Sequence, residues 1–411
     1  MRLAAVECPA VDARRAARAE VSGEEQGAIV LARGEGSIVW DVDGNRYVDL
    51  VGGFGALVLG HAPRAILDAV RDEAERLPLA LGDVFGSEVK VRACEAIAAL
   101  LPEAGARVML GLSGADAVTA ALKTAVLATG KPGVVAFHGA YHGLSHGPLA
   151  ACGLHPSFRE PFAAQLGEHV VFSPFPRRAQ ELDASLSSVH SALSTGAVGA
   201  VLVEPVLGRG GCVAPPPGFM GELRALCTEF GALLVADEIW SGLGRSGRML
   251  SSLDEALPDL VCLGKGLGAG FPISACVGRG GVMEGWGAHG GTVLHTATHF
   301  GAPPSCAAAL ASLAEIARLD LPERAGRLGA LFRGELEEQG FEVTGRGLMI
   351  GIPLGSPGEA LAIARRLLAS GWLVLTGGEG GRVLTLSPPL VLPESHIFAF
   401  VRALTLAVRQ G

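Results

Sequence analysis

"ALLVADEI", residues 232–239, is a run of aliphatic side chains that closes on two adjacent acids. The run is continuous where a half-exposed strand would alternate, so it reads as a strand covered on both faces. Four more such runs lie between about residues 105 and 280: "RVMLGL" (107–112), "GVVAF" (133–137), "AVLVEPV" (200–206) and "LVCLG" (260–264). Ala-rich helical stretches separate them. Strands and helices in alternation predict an α/β fold with a mostly parallel sheet and helices on both sides. Ligands of such sheets lie beyond the C-terminal strand ends. The polar residues that close these runs are Ser113, His138, Glu204, Asp237 and Lys265, so all five are expected on one rim. Asp237 and Glu238 are neighbours in a strand and point to opposite faces, so only one of them faces a site there.

A chain of 411 residues is long for one core and fits two sub-domains. Residues 49–304 read as the large domain. After about 305 the pattern changes to a long Ala/Leu helix, "FEVTGRGLMIGIPL" (341–354), another helix, "WLVLTGG" (372–378), "RVLTLSPPL" (382–390) and a last helix. That is the pattern of a smaller α+β domain, 305–411. Residues 1–48 form an N-terminal arm, with a hairpin expected at "DVDGNRY" (41–47).

The net charge is −8 with no basic tract, which argues against a nucleic-acid partner. No apolar run reaches membrane-spanning length. The first fifteen residues carry an early acid and too short an apolar stretch for a signal peptide, while their arginines leave a transit-peptide reading open. Eight cysteines without CxxC spacing favour neither zinc nor a disulfide framework. The expectation is a cytoplasmic enzyme.

Three motifs are tested and set aside. "GLGRSG" (242–247) matches the dinucleotide fingerprint, but no helix opens after it to meet a pyrophosphate. The "GKG" around Lys265 lacks the other residues of a P-loop. "HGAYHGLSHG" (138–147) would align three histidines on a helix, but its three glycines oppose one, so it reads as a loop of hydrogen-bonded histidines with no metal.

Only four lysines occur in the chain, and Lys265 ends an apolar strand with a glycine on either side. An amine that forms an imine must be neutral part of the time, and burial at a strand end lowers its pKa. Ser113 is placed to cap an Ala-rich helix, leaving the N–H groups of Gly114 and Ala115 for a phosphate. Asp237 suits a positively charged ring nitrogen. Tyr141, one of two tyrosines, offers a face to stack on a ring. Together these parts describe a pyridoxal phosphate site.

Over nearly its whole length the chain resembles the class III (subgroup II) aminotransferases of pyridoxal phosphate fold type I, a group that includes aminomutases. The resemblance lies in "IVWDVDGNRYVDL" (38–50), "LSGADAVTAALKTA" (112–125), "FHGAYHG" (137–143), "VEPVLGRGG" (203–211), "LLVADEIWSGLGRSG" (233–247), "LGKGLGAGFPISACVG" (263–278) and "THFGAPPSCAAALASL" (298–313). It implies that Lys265 forms the Schiff base and Asp237 pairs with the pyridine nitrogen. It implies that Ser113, Gly114 and Ala115 hold the phosphate, Tyr141 and His142 border the ring, and Glu204 lies near cofactor and substrate. It also implies a homodimer with shared active sites, in which Thr298 reaches the neighbouring subunit's phosphate. The expected reaction moves an amino group from an amine or amino acid to a carbonyl acceptor in a ping-pong cycle. Aminomutase and racemase chemistry are the alternatives, the latter with His142 as base on the second face.

Three positions depart from the family pattern. Trp240 and Leu207 stand where many members carry Gln. Thr385 stands three residues before Pro-Pro, where members that grip a substrate α-carboxylate carry Arg, and Arg382 lies three residues earlier. Either another arginine substitutes or the substrate has no carboxylate there. An amine or modified amino acid is therefore expected in place of a plain α-amino acid held in the usual way.

Overall fold

A computed structural model of the chain describes Cys8 and residues 29–410. It opens on three short strands, β1 (Leu31–Glu35), β2 (Ile38–Asp41) and β3 (Arg46–Asp49). β2 and β3 form the expected hairpin, with Val39 opposite Tyr47. Asp41 ties the turn: its carboxylate accepts from the N–H groups of Asp43 and Asn45 at 3.0 and 2.8 Å and from the Tyr47 hydroxyl at 2.9 Å. This is the self-bonding for which Asp is favoured in turns. Of the expected N-terminal arm, residues 1–7 and 9–28 lie outside the described residues.

The chain then builds the large sheet from β4 (Arg107–Gly111), β5 (Gly133–Phe137), β6 (Val170–Ser173), β7 (Val198–Val203), β8 (Leu233–Asp237), β9 (Leu260–Leu263) and β10 (Ser274–Gly278). Their spatial order is β4-β10-β9-β8-β7-β5-β6. β10 alone runs antiparallel, between β4 and β9. The five apolar runs all became strands. β6 and β10 were not among them: "VVFS" is short, and "SACVG" sits inside a glycine-rich stretch that reads as loop.

The two faces of the sheet are packed differently. On one, Phe137, Phe175 and Phe219 meet edge-to-face at centroid separations of 5.5 to 6.0 Å. On the other lies helix α1 (Gly114–Thr129), whose buried Ala117, Ala120, Ala121 and Ala125 pack in one cluster with Val134, Leu202 and Val235. Small side chains let the helix axis approach closely, which holds its N-terminus at the strand ends. Ser113 caps that helix in a reciprocal box with Asp116, and Gly130 ends it in the left-handed conformation.

Helix α2 (Pro303–Arg318) leads to the C-terminal part, where β11 (Thr344–Arg346), β12 (Met349–Pro353), β14 (Leu375–Gly377) and β15 (Val383–Leu386) form an antiparallel sheet. β13 (Trp372–Leu373), just before β14, belongs to the N-terminal sheet instead, pairing in parallel with β3 and so joining segments from both ends of the chain. "GLGRSG" forms turns, as the missing helix signal required. Its Arg245 is fully buried and donates to the carbonyls of Leu348 at 3.3 Å, Gly55 at 3.4 Å and Pro388. The apparent nucleotide fingerprint is thus a bolt between the large sheet and the C-terminal segment. No helix among the described residues is long and apolar enough to cross a membrane.

Candidate active site

A cavity of about 430 Å³ opens beyond the C-terminal ends of β4, β7, β8 and β9. Ser113, Glu204, Asp237 and Lys265 all line it, as four of the five strand-closing residues were expected to. His138 does not. Its exposed ring stacks on Phe172 at 5.6 Å, because the chain turns at Gly139 (φ 85°) and carries that side chain over the outer strand β6.

Lys265 follows β9 with φ at 35°, a region that a long side chain rarely adopts. Its amine lies 4.6 Å from the centroid of the Trp240 ring. Burial pushes its pKa down to about 8, with further lowering from Arg245 and Arg209, although Asp237 and Glu204 act in the opposite direction. Burial prevails because the amine is enclosed by protein, and a desolvated charge costs more than partly screened neighbours return.

Asp237 is buried at the end of β8. One carboxylate oxygen contacts Nδ1 of buried His142 at 2.7 Å, and the other accepts from the Ile239 N–H at 3.1 Å. His142 Nε2 is buried without a hydrogen-bond partner. Glu238 turns away from the cavity, as strand alternation demands, and accepts from Ser241 and from the Ser252 N–H at 2.6 Å. Glu204 accepts from the N–H groups of Tyr141 at 2.8 Å and Gly208 at 3.0 Å. Burial, reinforced by Asp237, raises its pKa to about 7 against the opposing influence of His142 and the two N–H groups.

Ser113, Gly114 and Ala115 form one wall. The first N–H groups of α1 have no acceptor within the helix. A Cβ on Gly114 would lie 2.7 Å from Ile239 Cδ1, so glycine is what lets that isoleucine close over the helix start. Tyr141 and His142 line the cavity too, on the histidine loop. There His146 bonds Gln165 at 2.8 Å, and only its last residues are helical.

Thr298 is not among the cavity residues; it sits exposed on a turn. Thr385 is buried in β15, its hydroxyl 3.4 Å from the Leu375 carbonyl, and Arg382 is exposed; neither lines the cavity. Five further lining residues were not singled out from the sequence as site residues: Phe54, Gly143, Leu144, Arg209 and Ile239. Arg209 carried a usable signal, since it follows the strand-end acid Glu204 within a glycine-rich turn. Phe54 carried none. It rides on a left-handed turn, Gly52 to Gly55, in which all four residues have φ between 54° and 80°.

The comparisons with known proteins agree on one family. The model described as "Aminotransferase class-III" matches residues 21–408. The acetylornithine aminotransferase of Methanopyrus kandleri is 38% identical over 389 residues, covering 93% of this chain and 94% of that protein. An amine transaminase from an uncultivated Pseudomonas species, solved with pyridoxal phosphate bound, superposes with a TM-score of 0.86 at 29% identity, over 95% of this chain and 96% of that one. The ornithine aminotransferase of Toxoplasma gondii gives 0.83 at 29% identity, over 96% and 93%.

Proposed function

The chain belongs to the class-III aminotransferases, and from that premise we propose which of its residues perform the transfer and what class of donor they accept. The reaction is pyridoxal-phosphate-dependent movement of an amino group between an amine or amino acid and a carbonyl acceptor, in two half-reactions. Bound, the cofactor supplies an aldehyde that condenses with amines and a ring that takes up electron density when a substrate C–H bond breaks. The cavity fits such a group. Unsatisfied N–H groups at the start of α1 suit a phosphate, a buried carboxylate suits a ring nitrogen, and an amine with lowered pKa suits the aldehyde.

Lys265 is the group that moves the proton at the reacting carbon. Its lowered pKa leaves a usable neutral fraction near pH 8, close to the operating range in which a general base works best. Asp237 holds the ring-nitrogen proton, and His142 and the Ile239 N–H fix the carboxylate for it. Glu204 joins the Tyr141 loop to the Gly208 turn and so sets the wall on which Tyr141 lies. Convergence of Lys265, Asp237 and the α1 N-terminus on one cavity carries this reading.

The donor is a modified amino acid that reacts through a terminal amine. Acetylornithine, named for the relatives, belongs to that class. Neutral, buried Thr385 supports this, since an α-carboxylate gripped in the usual way wants a cation there.

Each site is completed by a second copy of the chain, with Thr298 of the partner subunit at the phosphate. Leu79, Leu81, Val84 and Phe85 are exposed, as are Val293 and Leu294, and a Thr296–Asp83 hydrogen bond joins the two segments. Lys123 on α1 bonds the Leu294 carbonyl at 2.7 Å, which places this apolar patch beside the phosphate helix. We assign the homodimer to the cytoplasm.

A half-reaction without acceptor tests the chemistry. Acetylornithine added to the yellow holoenzyme is expected to bleach the band and release a carbonyl product. Persistent yellow while the substrate's proton exchanges with heavy water would mean proton abstraction without amino transfer, and would overturn the reading.

A further inference from the structure

The cavity holds one cation that the transfer itself does not employ. Arg209 lines it together with Lys265, Asp237 and Glu204. Its guanidinium carbon lies 4.5 Å from the Tyr141 ring centroid and 5.6 Å from that of Phe158, two rings that meet edge-to-face at 6.3 Å. Cation–π contact of this kind restrains the group and leaves its N–H donors available.

The acids nearby are already engaged. Glu204 spends its oxygens on the Tyr141 and Gly208 N–H groups, and Asp237 on His142 and the Ile239 N–H. Among the described residues no ion pair or hydrogen bond to the Arg209 side chain is recorded. Its backbone is held firmly, because the Arg209 carbonyl accepts from the Gly378 N–H at 2.8 Å at the end of β14. The charge nevertheless reaches the reacting amine, contributing to the lowered pKa of Lys265. The arginine named from the sequence, Arg382, is exposed and outside the cavity.

We propose that Arg209 is the carboxylate anchor of the substrate site, gripping the acid group of donor and acceptor through its free guanidinium edge. A guanidinium packed between two rings still presents the fork that matches a carboxylate in two parallel hydrogen bonds. The proposal rests on the aminotransferase reading above and adds to it: the substrate is acidic, and its acid is read from the large domain, by the turn that follows β7.

The test compares two donors that differ only in that group, N-acetylornithine and its decarboxylated analogue N-acetylputrescine. Half-reaction kcat/KM is measured for the wild-type holoenzyme, Arg209→Lys and Arg209→Gln. The wild type is expected to favour the acid by roughly ten- to a hundredfold, the range of a charge-assisted hydrogen bond. Arg209→Gln should bring the ratio within about threefold, chiefly through KM, and Arg209→Lys should fall between, keeping charge without the fork. A ratio unchanged in Arg209→Gln overturns the proposal. So does a wild type that uses both donors equally, although the aminotransferase reading then stands. So does loss of cofactor from Arg209→Gln with the ratio intact, which would make Arg209 a cofactor ligand. If the wild type takes neither donor, the donor class proposed above falls, and Arg209 is read from glutarate binding followed by the cofactor band. A weakening of at least tenfold in Arg209→Gln supports the anchor, and equal binding in both proteins overturns it.

Discussion

Lys265 combines two properties at one residue: a backbone conformation that its side chain disfavours and an amine whose charge is disfavoured by burial. Both suit the proposed role of this amine, and the second has a direct pH consequence. A depressed pKa means the neutral, nucleophilic form gains population from about pH 8, where an ordinary lysine would need a pH above 10. The rate at which apoprotein takes up pyridoxal phosphate is therefore expected to rise with pH through a midpoint near 8 and then level off. Stopped-flow absorbance at fixed cofactor gives the profile, and a rate still climbing at pH 10 would refute it. The lysine proposed for this role was legible because chemistry restricts it: only four lysines exist, and one ends an apolar strand. Arg209 was harder to see, since 33 basic residues dilute its one local signal, the strand-end acid Glu204 five residues before it, and contact with Tyr141 is what singles it out.

At the scale of elements, the strand ends do most of the positioning, and helix α1 supplies the rest. Its cap and its alanines were readable because each is a local signal. The left-handed turn at Gly52–Gly55 was not, because its sequence, "GGFG", says only that the backbone is free. What selects that conformation is Trp240, packed against it: a Cβ on Gly55 would lie 2.3 Å from Trp240 Nε1. Gly55→Ala combines this clash with a φ of 80°, so a loss of about 2 kcal/mol or more is expected. Gly36→Ala provides the control, with φ at 55° and nothing within 4 Å, and should cost only about 1 kcal/mol. Urea midpoints of the two variants report the difference, and equal losses would show that Trp240 does not enforce the turn.

At the scale of the whole molecule, the proposed sharing of sites between two chains makes a prediction that no single chain can satisfy. Lys265→Ala and Thr298→Asp homodimers are each expected to be inactive, the second through repulsion of the phosphate. Co-expressed, they should form hybrids with one site that has its own Lys265 and an intact Thr298 from the partner subunit. Random pairing restores about a quarter of wild-type activity. If Thr298 serves its own chain, every hybrid site is defective and nothing is restored; full activity of Thr298→Asp alone would remove its role altogether. What the sequence determined by itself is whatever depends on near neighbours: the apolar strands, the capped helix, the hairpin at Asp41 and the polar residues at strand ends. Tertiary structure alone decided three things. It turned His138 out of the cavity while bringing in Phe54 and Arg209. It made "GLGRSG" a buried joint through Arg245. It inserted β10 antiparallel among parallel strands. Each depends on contacts between segments far apart in the chain, where burial and charge are set by partners that no local pattern specifies.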